Sequence, residues 1–151
     1  MIEQTVRVFR TRETAKVPTR AHDGDAGMDF YYCPQERSPA VIHPGHSALL
    51  QTGVKVEVPK GYMLQIMNKS GIASKRSLIT GACVVDHGYT GEIFINLHNI
   101  GRETQMIEPE QKLAQGVFIN IASPSINIIE EDNIYGEVTS RGDGALGSTG
   151  E

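Results

Sequence analysis

The feature that most constrains this chain is an apolar pattern of period two, cut into short runs by turn chemistry. Val6-Arg7-Val8-Phe9, Val54-Lys55-Val56-Glu57-Val58 and Ile93-Phe94-Ile95-Asn96-Leu97 alternate or run as β-rich segments. That spacing puts every second side chain on one face of a strand. Tyr62 to Met67, Ile79 to Val85, Val117 to Ile121 and Ile126 to Ile129 follow the same pattern. Between the runs stand Pro44-Gly45, Pro59-Lys60-Gly61, His87-Gly88 and Pro109-Glu110, residues that set or tolerate turn dihedrals. No segment sustains a helical stripe, and Ser70 to Ser77 has room for a turn or two of helix at most. The expected fold is therefore all-β: many short strands in a distorted jelly-roll barrel or sandwich.

A chain of 151 residues is the size of one ordinary domain. Its last stretch differs from the rest. From Ser140 the sequence reads SRGDGALGSTGE, with glycine at 142, 144, 147 and 150. Such a segment has too little apolar area to order itself, although glycine lets backbone N–H groups approach an anion closely. The expected division is a β domain over 1–139 and a mobile arm over 140–151.

A formal charge of -4 argues against a protein that grips a long nucleic-acid backbone. It leaves room for one small anion held by a local cluster of donors. The two cysteines, Cys33 and Cys83, show neither a CxxC nor a zinc spacing and read as free thiols of a reducing cytoplasm. No basic-then-apolar leader and no apolar run of membrane-spanning length is visible, so no membrane partner is expected.

Four segments carry groups that do chemistry. His22-Asp23-Gly24-Asp25-Ala26-Gly27-Met28-Asp29 places three carboxylates in a loop leading into a strand. Asx turns would account for them, but Asp25 or Asp29 would also suit a basic neighbour or a metal-bound water near phosphate. Lys69-Ser70-Gly71 combines a cation, a hydroxyl and free N–H groups at a helix start, which suits a phosphate and equally describes an ordinary cap. The run from Gly81 to Glu92 reads as a hairpin, with Asp86 closing an apolar stretch where partial burial would make it a better base. Capping the turn is its plainer role. Tyr89 is a core aromatic or a stacking platform. Gln115 points off a buried strand and needs a partner, either a ligand phosphate or a neighbouring backbone.

In order and chemistry these segments resemble the trimeric, all-β dUTPases, a family with five motifs along nearly the whole chain. GDAGMDF is similar to the first motif, KSGIA to the second, VVDHGYTGE to the third, QKLAQ to the fourth and RGDGALGSTG to the fifth. The resemblance implies a dUTP diphosphatase that makes dUMP and pyrophosphate, keeps uracil out of DNA and supplies dUMP for thymidylate synthesis. On matching positions, Asp86 would be the general base for in-line attack of water on the α-phosphorus. Tyr89 would pack beneath the deoxyribose and leave no room for a 2′-hydroxyl. Backbone from Thr80 through Cys83 to Val85 would pair with the uracil edge and exclude thymine. Lys69, Ser70, Gly71 and Gln115 would contact phosphates. Asp25 and Asp29 would support a basic partner and the hydration shell of Mg²⁺, which the phosphates rather than side chains would hold. Arg141, Leu146, Gly147, Ser148 and Thr149 would close over the nucleotide, and a homotrimer would share its active sites between chains.

The sequence departs from the family pattern at three places. Lys69 stands where the family usually has Arg, which removes a bidentate fork but keeps the charge. Leu146 replaces an aromatic residue of the lid, so the base would gain apolar cover without stacking. Cys83 replaces a glycine in the third motif. The related dCTP deaminases carry a catalytic Glu where this chain has Asn96, so deamination would lack its proton shuttle.

Overall fold

The structure, a computed structural model, describes residues 4–147 and 150. Eleven strands and one short helix are described among them: β1 (Val8–Arg10), β2 (Met28–Tyr31), β3 (Ala40–Ile42), β4 (Ser47–Gln51), β5 (Val54–Val56), β6 (Tyr62–Met67), α1 (Ser70–Arg76), β7 (Leu78–Thr80), β8 (Val84–Val85), β9 (Phe94–Asn99), β10 (Gln105–Ile107) and β11 (Lys112–Asn120). A four-stranded sheet in the order β2-β11-β6-β8 and a three-stranded sheet β4-β9-β7 are joined by the ribbons β1-β5 and β3-β10. The strand pairs are antiparallel, and the sheets do not close into a barrel. The fold is an all-β sandwich of the jelly-roll class.

Alternation builds the core. Leu64 and Ile66 of β6, Val54 and Val56 of β5, and Ile95 and Leu97 of β9 are buried, while Lys55 and Phe94 between or beside them are exposed. These residues join Phe30, Ile42, Leu50, Leu78, Ile107 and Leu113 in one cluster. β2 differs, because Met28, Asp29 and Phe30 are all buried. Asp29 is therefore a carboxylate inside the sheet, and β11 lies against it with Gln115 opposite.

Some expectations are corrected. The run Ile79 to Val85 is two strands, β7 and β8, separated by Gly81-Ala82-Cys83. The third-motif segment is not a simple hairpin: β8 pairs with β6, whereas β9 pairs with β4 and β7. Its two arms thus belong to different sheets, held apart by the cluster between them. Ile126 to Ile129 forms no strand, and Ile126 and Ile128 are exposed, because no neighbouring strand offers them a ladder. Cys33 and Cys83 are free, as expected, with Cys33 buried. No helix among the described residues is long and apolar enough to cross a membrane.

Candidate active site

The residues singled out by sequence gather around two carboxylates, Asp29 and Asp86. Val85 pairs with Leu64 within β6, and Lys69 follows two residues beyond the end of that strand at Met67. Asn68 touches both groups, accepting the Thr80 N–H on its side chain and the Gln115 amide on its carbonyl.

The first cluster surrounds Asp29. Lys69 Nζ lies 2.5 Å from Asp29 Oδ1, and Lys112 Nζ lies 2.8 Å from Oδ2. Burial by itself would raise this carboxyl; the hydrogen bonds and charges of Lys112 and Lys69 outweigh it and hold Asp29 below the ordinary carboxylate range. Lys112 in turn is raised, chiefly by its hydrogen bond to Asp29. Two ammonium groups share this one buried anion. A cavity of about 390 Å³ lined by Asp25, Gly27, Asp29, Lys69 and Gln115 opens onto the cluster. The Asp25 carboxylate on its lining offsets the surplus positive charge; Lys69 is the cation that faces the cavity, a charge-assisted donor for a phosphate. Gln115 Nε2 donates to the Asn68 carbonyl at 2.9 Å, the backbone partner foreseen as the plainer option. Gly27 makes room for that side chain, since a Cβ there would lie 2.0 Å from Gln115 Oε1. Asp25 accepts the His22 N–H at 3.0 Å, so it closes its own loop as well as lining the cavity. Ser70 and Gly71 open α1, whose N-terminus has no side-chain cap.

The second cluster surrounds Asp86. A cleft of about 260 Å³ is lined by Leu49, Ala82, Val84, Val85, Asp86, Tyr89, Glu92, Ile93 and Phe94. It lies between the splayed arms of the third motif and is mostly apolar, with the Asp86 carboxylate and the Tyr89 phenol at its rim. Asp86 is exposed, so the partial burial expected for it is not supplied by this chain alone. Tyr89 is 48% exposed, and its hydroxyl donates to the Glu92 carbonyl at 2.9 Å. The loop behind the cleft is tied down by two asparagines. Asn68 Oδ1 accepts the Thr80 N–H at 2.8 Å, and Asn96 Oδ1 accepts the Ala82 N–H at 3.3 Å and faces His98 Nε2 at 3.0 Å. Asn96 is therefore a structural clamp in place of an acid. Cys83 is half-buried, and its carbonyl accepts the Ile66 N–H at 2.7 Å.

The two cavities share no lining residue. Arg141, Leu146 and Gly147 are exposed in the chain beyond β11, and Ser148 and Thr149 lie outside the described residues. Sequence reasoning assigned no role to Lys112, Asn68 or Glu92. The second cation on Asp29 had one available signal, a lysine three residues before Gln115 on the strand beside β2; the asparagine clamps and Glu92 gave none, because their partners are distant in sequence.

The dUTPase family model matches residues 13–150. The chain belongs to the dUTPase family. It is 38% identical over 147 residues to the deoxyuridine 5′-triphosphate nucleotidohydrolase of Alkaliphilus metalliredigens, covering 96% of each chain. The enzyme of that name from Chlamydia trachomatis is 37% identical over 91% of this chain and 92% of its own. Among solved structures, Staphylococcus bacteriophage 80alpha dUTPase with dUPNHPP superposes with a TM-score of 0.87 at 26% identity, covering 99% of this chain and 100% of that one. A dUTPase from phage phi11 of S. aureus, described with a coordinated structural Mg(II) ion, reaches 0.77 at 28% identity over 85% of this chain and 98% of its own. As a member of the family, the chain is a dUTP diphosphatase.

Proposed function

We propose that this dUTP diphosphatase works by in-line attack of water on the α-phosphorus, with Asp86 as general base and the active site divided between chains of a homotrimer. The observation that carries the mechanism is the placement of Asp86 and Tyr89 on the rim of one apolar cleft. Uracil enters between the arms of the third motif, where the backbone from Thr80 to Val85 recognises its edge. Tyr89 packs beneath the deoxyribose and excludes a 2′-hydroxyl by shape. Asp86 then accepts a proton from the attacking water, a new P–O bond forms at the α-phosphorus, and its bond to the α,β-bridging oxygen breaks. Pyrophosphate leaves with that oxygen.

The phosphates need cations that the Asp86 cleft lacks. Lys69, with Ser70, Gly71 and Gln115, supplies a phosphate cradle beside Asp29, and Lys112 neutralises the second Asp29 oxygen. Because the cradle and the cleft share no lining residue, the cleft of one chain is paired with the cradle of a neighbour. The tail over 140–151, with Arg141, Leu146, Gly147, Ser148 and Thr149, closes over the nucleotide and excludes water, the positioning on which phosphoryl transfer mostly depends.

The residues present fit Mg²⁺ held through water. Both Asp29 oxygens face lysine ammonium groups, and no group of three His, Cys, Asp or Glu that would hold a metal is found among the described residues. Asp25 and Asp29 would orient hydrating waters, with the phosphates as ligands; Mg²⁺, when bound, neutralises charge on the triphosphate. Two free thiols suit a cytoplasmic enzyme, and the substrate is the free nucleotide rather than a nucleic acid or a membrane.

Pyrophosphate release from dUTP, UTP, dTTP and dCTP with Mg²⁺ tests the reading. Release from dUTP alone is expected, with no ammonia from dCTP. Equal release from UTP, or none from dUTP, would sink it, the second outcome favouring a binding module.

A further inference from the structure

The Tyr89 ring is folded back over its own loop. A Cβ on Gly91 would lie 2.4 Å from the Tyr89 hydroxyl and 2.6 Å from Cζ, so the ring rests on that glycine's backbone. Its hydroxyl is held by the Glu92 carbonyl. The phenol is thus only as well placed as the peptide of Glu92, and the loop from Asp86 to Ile93 contains no strand of its own.

The Glu92 side chain ties this peptide to distant parts of the chain. Its Oε1 accepts the Gly53 N–H at 2.6 Å and makes a close ion pair with Arg12 Nη2. The same Nη2 donates to the Cys33 carbonyl at 2.8 Å. Residues from two distant stretches therefore converge on one carboxylate behind Tyr89, and Arg12 is itself held by a third. The Arg12 and Glu92 side chains are only 17% and 13% exposed, and Arg12 Nε is buried without a partner. A desolvated ion pair with an unsatisfied donor is a poor source of stability compared with apolar packing. The Glu92 carbonyl shares its rigid peptide unit with the Ile93 N–H, which donates to the Val54 carbonyl at 2.8 Å, and Thr52 Oγ1 donates to the Ile93 carbonyl at 2.6 Å. The ion pair adds a second hold on the same peptide, from the Cα side of residue 92.

We propose that Arg12 and Glu92 are positioning residues for sugar discrimination, fixing the 89–92 loop so that Tyr89 closes the space a 2′-hydroxyl would need. The inference rests on the reading of Tyr89 as the sugar platform. Glu92 lines the cleft, but its carboxylate is engaged by Arg12 and the Gly53 N–H, and Arg12 is not part of the lining; both act through the tyrosine.

The test compares kcat and KM for dUTP and UTP in wild type, Arg12→Met, Arg12→Lys and Glu92→Gln, with Tm recorded for each. In Arg12→Met the ratio of kcat/KM for UTP to that for dUTP should rise about tenfold, which is about 1.4 kcal/mol of discrimination. Arg12→Lys should restore most of the preference. Glu92→Gln keeps an acceptor for Gly53 and should fold even if Arg12→Met does not; its ratio should rise in the same direction. A ratio within twofold of wild type in these variants, with activity on both nucleotides and Tm falling together, would show a purely structural pair and overturn the proposal. Wild type that fails to hydrolyse dUTP would instead overturn the underlying reading, so the two failures are distinguishable.

Discussion

Asp29 and Asp86 show how one chain prepares two carboxylates for different work. Asp29 is buried inside β2 with a lysine on each oxygen, an arrangement that fixes it as an anion and denies it a role as proton acceptor. Asp86 is exposed at the rim of a cleft, where a water can reach it. Replacing Asp86 by Asn should lower pyrophosphate release at least a hundredfold, the lower end of what a general base contributes. The exposed position predicts that Tm stays within a degree or two, about the size of an ordinary surface substitution. A variant that retained wild-type turnover would remove Asp86 from the mechanism. Asp29 makes a prediction about pH instead. Its folded carboxyl lies below the ordinary value of 3.8, so the unfolded chain takes up the proton first as pH falls. The stability it contributes is present above the unfolded value and is lost as pH drops through the folded one. Urea midpoints measured from pH 7 to pH 2.5 should therefore fall more steeply below about pH 4 in wild type than in Asp29→Asn. The variant should be less stable at neutral pH, where two lysines face each other without a counter-ion. Parallel curves for the two proteins would contradict this.

At the scale of elements, the sequence was most legible where a strand has one wet face. β5 alternates in burial as its residues alternate in polarity, and β6 and β9 alternate in burial around Gln65 and around Asn96 and His98, so short β-rich runs located them. β11 begins at Lys112, five residues before the apolar run that announced it. Its first half contains a polar residue at each end, a glycine, and a register shift between Lys112 and Ala114, all of which erase the alternation. The splitting of the third motif between two sheets was invisible for another reason. It depends on which strand each arm pairs with, and pairing partners are not encoded in local spacing. The motif residues themselves were legible because polar and glycine positions interrupt apolar runs, whereas Glu92 and Asn68 look like ordinary loop residues until their distant partners are placed. Gly27 shows what contact between elements adds. Its missing side chain is the space through which Gln115 reaches Asn68. Gly27→Ala should push Gln115 off this path and raise KM for dUTP several-fold, with a smaller change in kcat because the Asp86 base itself is untouched. A KM that did not move would mean Gln115 contributes nothing to binding the phosphates.

For the whole molecule the decisive fact is that cradle and cleft are separate cavities that share no lining residue. In the proposed mechanism a single nucleotide has its α-phosphorus within reach of a water held by Asp86 and its phosphates against Lys69. The single chain presents these as two surfaces, and it leaves Ile134, Tyr135, Val138 and Leu146 exposed along the segment that follows β11. The proposed homotrimer would solve both problems at once, since a ring of identical chains can set the cleft of each against the cradle of the next. The consequence is measurable with two inactive proteins. Asp86→Asn loses the base and keeps the cradle; a Lys69→Ala, Gln115→Ala double variant loses the cradle and keeps the base. Unfolded together in equal amounts and refolded, they form mixed rings. A site between neighbours is then intact only when its cleft comes from the cradle-deficient chain and its cradle from the base-deficient one. Random mixing makes that about one site in four, so activity should return to roughly a quarter of the wild-type value. The same proteins refolded separately and then combined should recover far less until subunits exchange. If each site is built within one chain, every chain in the mixture carries a defect and no activity returns under either protocol.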